Sequence, residues 1–370
     1  MARYIGGDPR TAIETTRLAQ SRIYLDHAAT TPMTVAARDA VAAGMARWAN
    51  PSSPHAEGRA ARAALEEARG RVATACGWSG ETLFTSGASE SLGIVLARAT
   101  PGRRLVTAVE HDPVLRAAPD AAVLPVGPDG LLDPTGLDLR PGDLVAVQWA
   151  NSETGVRQPI AAIAAAVHAA GARLLVDAAQ MPAGLDPDVA AHADFVAVSG
   201  HKRGGPPGIG ALLVSDLATL SPTGGQERGY RPGTENVPAA LGLAAALAAP
   251  EPDHTALRAR LDDAIVRSGG EVVAPTAPRH PAIGSYRLPG VPATTQLIRL
   301  DMAGFAVSAG SACSSGSMKP SHVLAALGWP EAAGREVLRV SFGRATTQAE
   351  VDAFVVAWRA MARATSRFAA

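Results

Sequence analysis

Between residues 80 and 215 the chain alternates short apolar runs with longer stretches in which apolar positions recur every three or four residues. The runs fall at 82–85, 104–109, 144–150, 173–177, 194–199 and 209–214. Each is short and continuously apolar, as a strand buried on both faces requires. Helical spacing separates several of them, most plainly over 88–99 and 159–170, where Pro159 stands at a helix start and Gly171 at its end. Strands interleaved with helices predict a mostly parallel sheet covered on both faces. From about 255 the order becomes helix, strands, helix, strand, helix. The last helix opens on Thr347-Gln-Ala-Glu350, the spacing of a capping box. The expectation is an α/β chain with a large domain over 34–254 and a smaller α+β domain formed by 1–33 and 255–370.

Composition narrows the partners. The 370 residues suffice for two such domains, and an apolar content dominated by Ala, with only 4% aromatics, favours closely packed helices. Lys+Arg and Asp+Glu are both 34, so no basic surplus points to nucleic acid and no acidic run to a disordered tail. The N-terminal MARYIGGDPRTAIETTR has no apolar core segment, and the Ala-rich run 239–250 is too short for a bilayer. Two cysteines, Cys76 and Cys313, fit a reducing cytoplasmic setting in which a thiol stays available.

Chemistry concentrates at the predicted strand ends, where ligands gather in open α/β sheets. RLLVDAAQ ends in Asp177 with Gln180 beyond it; Asp177 suits either a ligand contact or a helix cap. DFVAVSGHK places Lys202 in a turn of small residues, where partial desolvation would suit capture of a carbonyl; a solvated Lys is the plainer alternative. The glycines of 204–210 precede a strand rather than a helix, which argues against a dinucleotide fingerprint. TSGASES opens a helix after a strand, so the N–H groups of Gly87, Ala88 and Ser89 can cradle a phosphate. His111 follows the strand RLVTAV. Arg339, inside the apolar VLRVSFGR, needs a carboxylate from a ligand or from the protein. Cys313 lies in a Gly/Ser/Ala stretch unsuited to a core, whereas Cys76 on a helix reads as packing.

The ordered set YLDHAATTP (24–32), NPSSPH (50–55), TSGASES, EHDPVL, NSETGVRQP (151–159), VDAAQ, SGHK, GIGALLV, ERGYRPGTEN (227–236), GSACSSGS (310–317) and FGRATT closely resembles the cysteine desulfurase family, in its branch with a long catalytic loop. The resemblance implies a fold-type I, class V transferase that uses pyridoxal 5'-phosphate to take sulfur from L-cysteine. It assigns Lys202 as the cofactor's covalent anchor, Asp177 to the ring nitrogen, His111 to ring stacking and proton transfer, and Gln180 to the phenolic oxygen. Ala88, Ser89, Ser199 and His201 would form the phosphate site, with Thr234 supplied across a homodimer. Arg339 would bind the substrate carboxylate, and Cys313 would receive the sulfur for an acceptor protein or scaffold. Iron–sulfur assembly and thiolation are among the destinations such enzymes serve. No metal, nucleic acid or membrane is expected. One departure stands out: the usual second Asn before Glu is Ser152 here, so the ring-oxygen contact is lost, bridged by water or taken by Asn151, a residue also placed near the substrate. Selenocysteine lyase, epimerase and aminotransferase activities, and a non-catalytic sulfur-pathway partner, are the alternatives.

Overall fold

The computed structural model describes residues 22–99, 102–184, 186–309 and 320–366. The chain enters on a two-residue strand, β1 (Ile23–Tyr24), and then builds a seven-stranded sheet from β2 (Glu81–Thr85), β3 (Arg104–Thr107), β4 (Ala122–Leu124), β5 (Leu144–Gln148), β6 (Arg173–Asp177), β7 (Phe195–Ser199) and β8 (Gly210–Val214). The spatial order is β2-β8-β7-β6-β5-β3-β4, and β8 alone runs against its neighbours. Every position of β5, β7 and β8 is buried, which is why their sequences show runs rather than alternation. β4 escaped the pattern because Ala122 and Val123 lie exposed on the sheet's edge.

One face of the sheet packs Val147, Trp149, Ile163, Val196 and Leu243 together; the other packs Leu92, Val95, Phe195 and Leu212. A separate cluster holds Leu25, Leu261, Tyr286, Phe354 and Trp358. It closes the antiparallel sheet of β9 (Glu271–Val272), β10 (Ile283–Arg287) and β12 (Val337–Ser341). Leu25 and Phe354 are fully buried there, each contributing about 1.5–3 kcal/mol. The entering segment is bound to this part of the fold, because β1 pairs in parallel with β11 (Phe305–Ala306) and Asp26 bridges to Ser341. The final helix, Gln348–Ser366, begins with both arms of its capping box. The Thr347 N–H donates to the Glu350 carboxylate at 2.7 Å, and the Glu350 N–H to the Thr347 hydroxyl at 3.3 Å. Cys76 closes the helix Ala56–Ala75, and burial pushes its thiol up to about 12, which makes it inert packing.

Two features set the site. The strands other than β8 share one direction, so the turns after β2, β3, β5, β6 and β7 gather on one edge of the sheet, and the small sheet closes over them. The loop carrying Thr234 is held to β2 and the helix Ala56–Ala75. Glu227 and Arg228 adopt positive φ (47° and 58°), and the buried Glu227 carboxylate accepts from Arg69 at 2.6 Å and from the Phe84 N–H at 2.9 Å.

Candidate active site

A cavity of about 910 Å³ lies between the strand-end turns and β12. At its phosphate-sized end, Gly87 (φ 152°) turns the chain from β2 into the helix Ala88–Arg98. The Thr85 and Ser91 hydroxyls, 2.9 Å apart, brace that turn from beneath. The leading N–H groups of a helix have no partner within it, so those at Ala88 and Ser89 face the cavity as donors with the helix dipole behind them. Glu90 would repel an anion here, but its carboxylate is drawn off by the Ser86 N–H and by Arg231 at 2.8 Å. Ser199 and His201 line the same end, and the His201 ring meets the Thr30 hydroxyl at 3.2 Å.

Lys202, Asp177 and His111 meet in the middle of the cavity. Burial lowers the Lys202 amine to about 8; Asp177 opposes this, while Arg339 and Arg203 add to it. Asp177 ends β6 and accepts the Ala179 N–H at 2.9 Å. His111 precedes the helix Asp112–Ala117; burial and the neighbouring Lys202 charge lower its pKa, so the ring is neutral at pH 7. Across the cavity Arg339 is 6% exposed. Its guanidinium donates to Asp26 at 2.7 Å and to the Ser152 carbonyl at 3.0 Å, and its Nε has no partner among the described residues. The ion pair that the sequence left open as an alternative is therefore present, inside the cavity rather than away from it.

Other candidates are placed differently. Asn151 borders the cavity, but its amide is committed to the fold: Nδ2 donates to the Val109 carbonyl at 3.1 Å, and Oδ1 accepts from the N–H groups of Glu153 and Thr154 at 2.9 and 2.8 Å. Ser152 lines the wall beside it. Gln180 lies off the main cavity, on a smaller one that Lys202 also borders. Its Nε2 donates to the Ala28 carbonyl at 3.0 Å, and its buried Oε1 is unpartnered among the described residues. Thr234 is exposed and away from the cavity of its own chain. Cys313 falls outside the described residues, though Ser308 and Pro320, on either side of that stretch, line the cavity. Sequence reading missed Asp26, Glu110, Glu153 and His322, which also line it. Glu110 and Glu153 each sit within a motif already noted (EHDPVL, NSETGVRQP), which was the available signal.

The class V aminotransferase model matches residues 23–354. An IscS-like cysteine desulfurase of Mycobacterium tuberculosis is 37% identical over 372 residues, covering 89% of this chain and 93% of its own. The chain belongs to the cysteine desulfurase family. The fold is similar to a NifS-like protein of Rickettsia africae, with TM-score 0.83 and 29% identity over 92% of this chain and 99% of that one. SspA, solved in complex with cysteine, gives TM-score 0.76 and 29% identity over 88% of this chain and 100% of that one. Cysteine desulfurases are pyridoxal-phosphate enzymes, and the donors here suit that group. An amine lowered to about 8 suits its aldehyde, unpaired helix N–H groups suit its phosphate, and the Asp177 carboxylate suits its ring nitrogen.

Proposed function

We propose that this chain converts free L-cysteine to L-alanine and that Cys313 takes up the sulfur as a persulfide. The observation that carries the reading is one cavity bordered by Lys202, Asp177, His111 and Arg339 together with Ser308 and Pro320. Cys313 follows Ser308 by only five residues, and Ser308 and Pro320, on either side of its stretch, both line the cavity.

Pyridoxal phosphate, when bound, supplies an electron sink for the substrate's α-carbon. Lys202 would anchor it, the turn at Ala88 and Ser89 with Ser199 and His201 would take its phosphate, and Asp177 would pair with its ring nitrogen. Ser152 and Gln180 would be the donors available to its ring oxygen, and Asn151 shapes the turn that carries Ser152. Arg339, which lines the cavity, orients the substrate through its carboxylate. Lys202 moves the α-proton, and the neutral His111 ring takes the proton of the substrate thiol. The Cys313 thiolate then attacks the substrate sulfur: an S–S bond forms, the Cβ–S bond breaks, and a proton returned to the carbon skeleton completes alanine. The persulfide passes to an acceptor protein or scaffold, in a cytoplasmic, reducing compartment that keeps Cys313 as a thiol.

The same reading divides the chain into a cofactor domain, 34–254, and a domain of 1–33 and 255–370 carrying the cysteine. It also pairs two chains, with Thr234 of each reaching the other's phosphate turn. The test is Cys313→Ala: sulfide and alanine production should stop while the cofactor's visible absorbance persists. Undiminished turnover without Cys313 would refute the assignment, and a keto-acid product would point to transamination instead.

A further inference from the structure

Glu110 is fully buried at the turn after β3, yet it borders the cavity. One carboxyl oxygen accepts from the Thr107 hydroxyl at 2.6 Å and from the Gln148 N–H at 2.9 Å. The other, Oε2, has no partner among the described residues. An ionised carboxylate in that position would carry charge on an oxygen that nothing solvates. Gln148, whose N–H holds the satisfied oxygen, lies directly opposite Asp177 in the β5–β6 ladder, so two carboxyl groups flank one point of the sheet edge.

The charged and titratable groups around Glu110 give it no counter-ion. On its own turn stand His111 and Asp112. From β6 comes Asp177, from the turn after β7 Lys202, and from the far wall Arg339, which is taken by Asp26. His322, opening the helix His322–Ala326, donates from its ring to the Glu110 backbone carbonyl at 2.9 Å and not to the carboxyl. Among the described residues Glu110 forms no salt bridge, although it sits within reach of the Asp177 charge.

We propose that Glu110 is a positioning residue that stays a neutral carboxylic acid and so leaves Asp177 as the one anion of the carboxyl pair. When two carboxyls share a poorly solvated site, a single proton serves both, and it settles on the group whose charge is harder to solvate. Glu110 is that group, at 0% exposure against 8% for Asp177. Burial first, and then the Asp177 charge, push the Glu110 carboxyl up to about 8 against the two hydrogen bonds. Its buried Oε2 then carries a proton instead of a second negative charge. The inference rests on the reading that Asp177 faces the cofactor's ring nitrogen. A neutral neighbour protects that role by keeping a second, unsolvated negative charge away from the end of β6.

The test compares wild-type and Glu110→Gln holoenzyme. Glutamine keeps the size and the acceptor oxygen but cannot ionise. At pH 7 the two should show the same cofactor band and cofactor affinities within about twofold, because the amide mimics the neutral acid. Above about pH 8 the wild-type band should change as Glu110 ionises, while that of Glu110→Gln should not. The infrared difference between 13C-glutamate-labelled wild type and Glu110→Gln should show, at pH 7, the carbonyl stretch of a protonated carboxylic acid that only wild type has, which sets Glu110 apart from the buried Glu153. Absence of that stretch, or a displaced band and a tenfold or greater loss of cofactor affinity in Glu110→Gln at pH 7, would overturn the proposal. Asp177→Asn separates the two layers: a normal cofactor band there would sink the Asp177 reading, while the infrared result would still decide the state of Glu110.

Discussion

Lys202 sits in the turn Ser199-Gly200-His201-Lys202, where small neighbours let the chain bring its amine against the cavity while the sheet removes most of its water. With the amine lowered to about 8, roughly one lysine in ten is neutral at pH 7, against about one in three thousand for a free side chain. Only the neutral form attacks an aldehyde, and a depressed pKa means that fraction grows as pH climbs toward 8. Capture of pyridoxal phosphate by the apoprotein, followed by the appearance of its visible band, should therefore speed up about tenfold from pH 6 to pH 7, then level off above 8. A rate still rising tenfold per unit beyond pH 9 would show that Lys202 titrates like an exposed lysine. Arg339 makes a second residue-scale case. Its planar fork already spans Asp26 and the Ser152 carbonyl, and a lysine can satisfy only one direction at a time. Arg339→Lys should raise KM for cysteine by about 10–100-fold and leave the cofactor absorbance unchanged.

At the scale of elements, the turn Asn151–Gly155 after β5 carries the most connections between the two sheets. The Glu153 carbonyl accepts from the Ser285 hydroxyl of β10 at 2.6 Å, and its buried carboxylate accepts from Ser321 at 2.6 Å. Ser321 also caps the helix His322–Ala326, receiving the Leu324 N–H at 3.1 Å. Ser321→Ala removes a cap and leaves a buried carboxyl without its donor, so it should destabilise the fold by about 2–3 kcal/mol. Glu153→Gln keeps an acceptor and should change it by less than about 1 kcal/mol; urea midpoints at constant m-value would check both. Elements of this kind explain what could be read from the sequence. β5 through β8 were visible because burial on both faces writes a continuous apolar run, and β4 was not because an exposed edge of three residues writes nothing. Asp177, Lys202 and His111 were visible because each stands at the end of a strand or in the short turn after it. Asp26, Glu110 and Glu153 find their partners 313, 38 and 168 residues away, and no local spacing reports such a contact. The contact of the Gln180 amide with Ala28, 152 residues earlier in the chain, is equally invisible to local spacing.

For the molecule as a whole, the question is what the loop that carries the exposed Thr234 is built to meet. Thr234 ends a loop pinned to its own chain at two charged points, Glu227 on Arg69 and the Phe84 N–H, and Arg231 on Glu90. Two successive non-glycine residues at positive φ cost about 1–3 kcal/mol each, and the buried Glu227 carboxylate, with its donors, offsets this. The loop is thus fixed on its own chain, and Thr234 stands exposed on it, free to meet a neighbour. If that neighbour is a second copy related by a two-fold axis, each complete site needs Lys202 from one chain and Thr234 from the other. Lys202→Ala chains alone should be inactive, and Thr234→Ala chains alone should hold the cofactor about tenfold more weakly for want of one phosphate hydrogen bond. A hybrid of the two pairs an intact Lys202 with an intact Thr234 in one site and leaves both defects in the other. Doubly tagged hybrids, purified away from both parents, should recover about half of the wild-type turnover with one tightly held cofactor per dimer. Hybrids whose one Lys202-bearing site holds the cofactor as weakly as Thr234→Ala does would place Thr234 in its own chain's service, and a monomer by light scattering would remove the partner altogether.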